Sequence, residues 1–358
     1  MVLRLYTDAS ILPAGVPHVP MLVPFMGAID PPESPEHTRF DRYAELGKAL
    51  FAVSSLAEAD VAVLPFGWES VLADRSLEDR AQRFADSVRR AGKRLIVFCE
   101  SDSAEPVPLY GATVYRTSLY RSTRSATEHA MPGWTGDLSV FRGAPLSAVV
   151  RGERPIAGFL GNVSPRSQSV LSSARVELLH AIGRATGQPH SWHARATYAK
   201  ARARAVEILE TSPLIDARVE RETRFAGGSM RPDGTFDWEI LRAARERFVR
   251  HADSCDYLLS VRGGGNFSYR FYEAMCLGKI PLFVDTECVL PFDEIVDWRS
   301  RMVWVDSSAL GELPDKLVAF DRALDTGSRA ARQSDARAAW ERWLSPEGFF
   351  ATLATELP

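Results

Sequence analysis

The stretch from Tyr257 to Trp298, YLLSVRGGGNFSYRFYEAMCLGKIPLFVDTECVLPFDEIVDW, leaves little choice of fold. Tyr257-Leu258-Leu259-Ser260-Val261 is a short apolar run of the kind that forms a buried parallel strand, and Arg262-Gly263-Gly264-Gly265-Asn266 cannot continue it. Three glycines in a row remove every Cβ from a turn that ends at a helix start. An anion can then approach backbone N–H groups where the helix dipole already favours negative charge.

The helix expected from about Ser268 to Leu277 has two faces. Phe271 with Met275 and Tyr272 with Cys276 are i,i+4 pairs that pack inward, while Arg270 and Glu273, three apart, share the other side. Gly278 ends the helix, and Lys279-Ile280-Pro281-Leu282-Phe283-Val284 reads as the next strand. The planar fork of Arg270 matches a diphosphate, and the Glu273 carboxylate can accept hydrogen bonds from the two hydroxyls of a ribose. An isolated Arg-x-x-Glu is more often a surface ion pair, so the weight lies on the glycine loop and the second strand that flank it.

In these residues the chain resembles the donor-binding signature of the exostosin family of glycosyltransferases, in its bacterial form. The matching positions are Arg262, the Gly-Asn-x-Ser loop ending at Ser268, Arg270, Glu273-Ala274, Gly278, Ile280-Pro281 and Asp297-Trp298. The resemblance implies a GT-B fold, a nucleoside-diphosphate sugar donor, most often a UDP-sugar, inversion at the anomeric carbon and no essential metal. It continues more loosely through Leu64-Pro65-Phe66, Arg116-Thr117-Ser118 and Met131-Pro132-Gly133-Trp134. On this basis the donor contacts are expected from Arg262, Gly263, Gly264, Gly265, Asn266, Ser268, Arg270 and Glu273.

The rest of the chain reads as α/β. Short apolar runs at 2–6, 61–65, 94–98 and 113–116 alternate with amphipathic segments, and a Pro, Gly and Trp-dense stretch from Met131 to Pro145 suggests a junction. The expectation is two Rossmann-like domains facing across a cleft. An acceptor-side domain would cover 1–150, a donor domain 151–330, and a C-terminal helix in 331–358 would pack back on the first domain. Within the second domain, a strand from Pro155 to Asn162, a helix from about Ser172 to Thr186 and a helix over 239–251 with Ile240, Ala243 and Phe248 inward are expected. The basic run ARATYAKARARA reads as a solvated helix face.

With 358 residues, 46% hydrophobic content and net charge −3, the chain has room for two cores and no basic surplus for nucleic acid. No apolar run spans a membrane, and MVLRLYTDAS lacks a signal-peptide layout, so a cytoplasmic protein is expected, unlike the membrane-anchored animal exostosins. The basic run leaves room for a peripheral membrane or glycan-assembly contact. Cys99, Cys255, Cys276 and Cys288 have no metal or disulfide spacing and read as buried thiols.

Inverting transfer needs a base for the acceptor hydroxyl and cations or dipoles for the departing diphosphate. Four acids sit at strand ends as candidate bases: Asp8, Glu69, Glu100 and Asp102. No cofactor and no metal are expected, because paired carboxylates in a convincing strand-end setting are missing; Asp253 and Asp256 read as a helix-end turn. The expected activity is sugar transfer from a nucleotide donor to a glycan or lipid-linked glycan acceptor in bacterial surface polysaccharide synthesis. A GDP-fucose-type transferase is the alternative enzyme, and a carbohydrate- or nucleotide-binding protein on a decayed transferase fold the alternative without catalysis.

Overall fold

The computed structural model describes residues 2–143, 153–163, 191–222, 224–231 and 233–357. Among these residues the strands form two sheets, all of whose pairings are parallel. The first holds β1 (Leu3–Tyr6), β2 (Phe51–Val53), β3 (Val61–Val63), β4 (Arg94–Cys99), β5 (Thr113–Arg116) and β6 (Glu128–Ala130), in the order β2-β1-β3-β4-β5-β6. The second holds β7 (Ile156–Asn162), β8 (Asp216–Glu222), β9 (Tyr257–Ser260), β10 (Ile280–Asp285) and β11 (Val303–Asp306), in the order β11-β10-β9-β7-β8.

Read from β8, the second sheet runs in the same sense as the first: second strand, first strand, third, then onward. In such doubly wound sheets the strand order reverses beside the first strand, and ligands lodge outside the carboxyl ends at that point. The reversal falls between β1 and β3 in one sheet and between β7 and β9 in the other. The architecture is thus the expected one, two α/β domains of GT-B type.

The central strands are apolar because helices cover both faces. Every residue of β9 and β10 is buried. Pro281, which has no N–H to give, lies one residue before the β10–β11 register begins at Leu282↔Val303. The Tyr269–Cys276 helix follows the glycine loop and buries everything from Phe271 to Cys276, so Glu273 is buried along with the apolar pairs. Gly278 takes φ +67, the left-handed turn a C-terminal glycine supplies.

Two expectations need correction. In the Trp238–Asp253 helix the buried residues are Leu241, Phe248, Val249, His251 and Ala252, while Ile240 and Ala243, expected inward, are exposed. A strand at Phe51-Ala52-Val53 was not expected either: it forms the edge strand β2 after the helix Asp41–Leu50. The segment expected as a helix from Ser172 to Thr186 and the junction near residue 150 lie outside the described residues.

The last helix, Pro346–Glu356, sets Phe349, Phe350 and Leu353 into the core of the first sheet, where the Phe350 ring stacks on Tyr43 at 4.3 Å and on Trp134 at 5.5 Å. Trp340 and Leu344, just before it, are buried in the core of the second. One short span of chain thus fills both cores. All four cysteines are buried and free. No helix of the described residues is long and apolar enough to cross a membrane.

Candidate functional site

Between the two sheets, at the carboxyl ends of β7, β8 and β9, lies a cleft of about 660 Å³. Both domains line it. The first contributes Asp30, Glu36, Arg39, Glu100 and Asp102; the second contributes Arg202, Glu222, Arg245, Gly263, Gly264, Ser268, Arg270 and Glu273.

The glycine loop forms part of this wall, and its residues divide into two groups. Gly263, Gly264 and Ser268 line the cleft. Gly265 instead meets the first domain: a Cβ there would lie 2.8 Å from the Asp102 Cα. Asn266 is fully buried, with its N–H donating to Ser118 Oγ at 2.9 Å and its amide nitrogen to the Leu119 carbonyl at 3.0 Å. Arg262 is buried beside it and donates to Tyr120 Oη at 2.6 Å, Asn266 Oδ1 at 3.0 Å and the Gly264 carbonyl at 2.8 Å. Of the expected donor contacts, then, Arg262, Gly265 and Asn266 serve a seam between the domains. The seam continues through Val289 N–H to the Leu119 carbonyl at 3.2 Å and Arg121 N–H to the Glu287 carbonyl at 2.8 Å.

Arg270 and Glu273 do lie in the cleft wall, but as members of a chain of alternating charge. Glu273 is 1% exposed and sits between Arg270 and Arg245, with Arg245 Nη1 at 2.7 Å. Arg245 reaches on across the cleft to Glu36 of the first domain. Burial on its own would raise the Glu273 pKa; the two guanidiniums outweigh it and hold the carboxyl below its ordinary value. The Arg270 guanidinium also donates to the Leu160 carbonyl at 2.8 Å and lies 4.3 Å above the Phe248 ring. Glu273 is therefore satisfied by arginines, and its two neighbours form the surface a ligand meets.

Arg202 was expected on a solvated face. Instead it turns inward from the Ser191–Thr211 helix and donates to the carbonyls of Asn162 at 3.2 Å, Val261 at 3.1 Å and Arg262 at 3.1 Å. These carbonyls close the ends of β7 and β9, the point where the strand order reverses. Burial, then Arg270 and Arg262, bring its pKa down to about 10, so it stays charged at neutral pH. The other arginines of the cleft have carboxylate partners: Arg39 forks Asp30 at 2.6 and 2.9 Å, and Arg245 and Arg270 share Glu273. Arg202 is held by carbonyls in place of a paired carboxylate, with Asp102 acting on its charge from the first domain, and its guanidinium lies 3.2 Å from where Gly263 would carry a Cβ.

The four acids expected as bases separate clearly. Asp8 caps the Ala9–Ile11 turn, accepting from Ser10 N–H at 3.0 Å and Oγ at 2.6 Å, and it does not line the cleft. Glu69 stands behind the wall and accepts the Glu100 N–H at 2.9 Å; burial pushes its carboxyl up to about 7. Glu100 and Asp102 line the cleft itself. Burial raises the Glu100 pKa against the opposing pull of Arg39 and of Tyr269, whose hydroxyl donates to Glu100 at 3.3 Å.

Sequence reading also missed a pair of aromatics. Phe236 and Trp238 line the cleft, stacked at 5.5 Å with their planes 21° apart. Two half-exposed rings at the start of a helix have no local signature that sets them apart from core residues.

No protein-family model matches this chain. A stretch of 105 residues is 31% identical to Exostosin-1 of Drosophila melanogaster, covering 29% of this chain and 13% of that protein. The solved structure of TarM is similar at a TM-score of 0.30 and 10% identity, over 74% of this chain and 54% of that one. The chain is thus similar, over part of its length, to an exostosin.

Proposed function

We propose that this protein is a glycosyltransferase that moves a sugar from a nucleoside-diphosphate donor to a hydroxyl of a glycan or lipid-linked glycan. The observation that carries the reading is the position of Arg202 and Arg270 at the β7–β9 reversal beside Gly263 and Gly264, facing Glu100 and Asp102 across one cleft. Cations stand where a diphosphate would leave, and carboxylates stand where an acceptor would enter. The local likeness to Exostosin-1 supports the same reading.

In this mechanism an acceptor hydroxyl attacks the anomeric carbon and gives its proton to Glu100. The bond from that carbon to the diphosphate oxygen breaks, and the diphosphate leaves with the electron pair. A carboxyl raised by burial is a better proton acceptor than an ordinary surface glutamate, since general-base catalysis is most effective when the pKa approaches the working pH. Arg202, with Arg270 and the helix that begins after Ser268, meets the developing charge, so the reading needs no divalent ion. Phe236 and Trp238 offer a flat face for the nucleobase, and a UDP-sugar is the donor proposed, in bacterial surface polysaccharide synthesis.

Calorimetric titration of UDP, GDP and CMP tests the reading, followed by mass spectrometry of products from UDP-sugars. UDP binding that Arg202→Ala weakens at least about tenfold supports it. Failure of all three nucleotides to bind the folded protein refutes it.

A further inference from the structure

A second cavity, of about 480 Å³, opens under the connection from β10 to β11, at the edge of the second sheet away from the main cleft. Small-molecule pockets span roughly 300–1,000 Å³, so this one is large enough for a ligand. Trp304 lies in its wall. One face of that ring packs on Phe283, with centroids 4.9 Å apart, and over the ring the Arg299 guanidinium rides at 4.6 Å. Arg299 is a loose cover: its side chain is 66% exposed, and its carboxylate partner Asp285 is 4.0 Å away, too far for a hydrogen bond.

The rest of the wall mixes apolar side chains, Leu290, Ile295, Val296 and Trp298, with charged ones of both signs. Arg121 enters from the first domain, donating to Asp285 at 2.6 Å with half of its side chain still exposed. Its carboxylates are Asp293, held by Arg124 at 2.9 Å, Glu294, held by the same Arg124, and Asp297, which accepts the Ser300 N–H at 3.3 Å. The carboxylates disfavour an anion, and the guanidiniums among them disfavour a cation. A ligand suited to both must be neutral, carry donors and acceptors around its rim, and present a C–H face to an indole. A pyranose has these properties.

We infer that this cavity binds a neutral saccharide, with one pyranose ring laid on Trp304 in place of the Arg299 guanidinium and its hydroxyls shared among Arg121, Asp293 and Asp297. The seam from Ser118 to Arg121 runs between this cavity and the main cleft, so the two sites fill independently and the inference does not depend on sugar transfer in the other.

Saturation-transfer NMR with maltose, cellobiose, lactose and chitobiose, and with digalacturonate as the anionic comparison, tests it. At least one neutral disaccharide gives transfer that weakens at least about tenfold in affinity in Trp304→Ala and in Ile295→Trp. The second variant fills the cavity from a residue that is 56% exposed, so it keeps the test open if Trp304→Ala does not fold. The same signal persists in Trp238→Ala, whose substitution lies in the main cleft. Transfer from none of the four neutral sugars, transfer that survives Ile295→Trp, loss in Trp238→Ala, or tighter binding of digalacturonate would each overturn the inference.

Discussion

Asp102 and Gly265 hold the two domains at backbone contact: the Cα of one lies 2.8 Å from where the other would carry a Cβ. The neighbouring atom is main chain, which cannot swing aside as a side-chain tip can. Gly265→Ala should therefore cost about 1–3 kcal/mol, the usual range for overpacking, and should move the Gly263–Gly264 turn relative to Glu100. Denaturant unfolding, with a nucleotide titration on the folded fraction, reads both effects. Wild-type stability in the variant would show that the contact yields freely.

Arg202 separates charge from structure. Its guanidinium satisfies three strand-end carbonyls and faces the glycine loop. Arg202→Ala should lose both roles, weakening UDP and lowering stability, because buried carbonyls left without donors cost roughly 1–3 kcal/mol. Arg202→Lys keeps the charge without the fork, so it should restore more nucleotide affinity than stability. Equal recovery of both in the Lys variant would contradict the division.

The Glu36–Arg245–Glu273–Arg270 chain predicts that Glu273→Gln acts mainly on folding. Removing one partner of a buried pair typically costs about 3–5 kcal/mol. The sign in pH follows from a depressed carboxyl: the contribution is present above the unfolded pKa, about 4.3, and is lost as pH falls through the lower folded value. Stability curves of wild type and variant should converge below pH 4. Curves that stay parallel from pH 3 to 8 would rule this out.

Glu69 behaves in the opposite way. Its carboxyl is raised to about 7 by burial, so protonated Glu69 favours the folded state below the unfolded pKa, and that advantage is lost as pH rises through about 7. Glu69→Gln keeps an oxygen to accept the Glu100 N–H and should make the protein more stable at pH 8, by on the order of 3 kcal/mol, with little change at pH 4. Thermal unfolding across pH 4 to 9 measures it.

The aromatic platform gives a simpler forecast. Trp238→Ala should weaken UDP by about tenfold or more, since a stacked base is worth roughly 1–3 kcal/mol, while Trp238→Phe should retain most of the affinity. Unchanged UDP binding in the Ala variant removes the nucleobase from this part of the cleft.

What the sequence made legible follows from how local each signal is. β9 and β10 are uninterrupted apolar runs buried on both faces, and the glycine loop between them punctuates the chain unmistakably. β8, DARVERE, is an edge strand with no fully buried residue and with Glu220 and Arg221 exposed, so it shows no apolar period to read. The seam residues Asn266 and Arg262 carry the same letters that a phosphate loop would, and only the approach of Ser118 and Tyr120 from the other domain reveals their different task. Arg202 hides among solvated arginines such as Arg204, which is 62% exposed on its side chain. Nothing in an alanine- and arginine-rich run marks which arginine turns in, because the carbonyls that receive it belong to strands distant in sequence.

The seam also dictates how the molecule can breathe. Its bonds from Ser118 through Arg121 to Arg262, Asn266 and the 287–289 turn are flanked by Arg124 on Asp293 at 2.9 Å to one side and by Arg245 on Glu36 and Tyr269 on Glu100 to the other. A relative motion of the domains therefore has to break polar bonds on at least one side of the seam. The main cleft and the Trp304 cavity sit toward opposite edges of the second sheet, on either side of this seam, so a ligand can enter either one while the bonds between them stay closed.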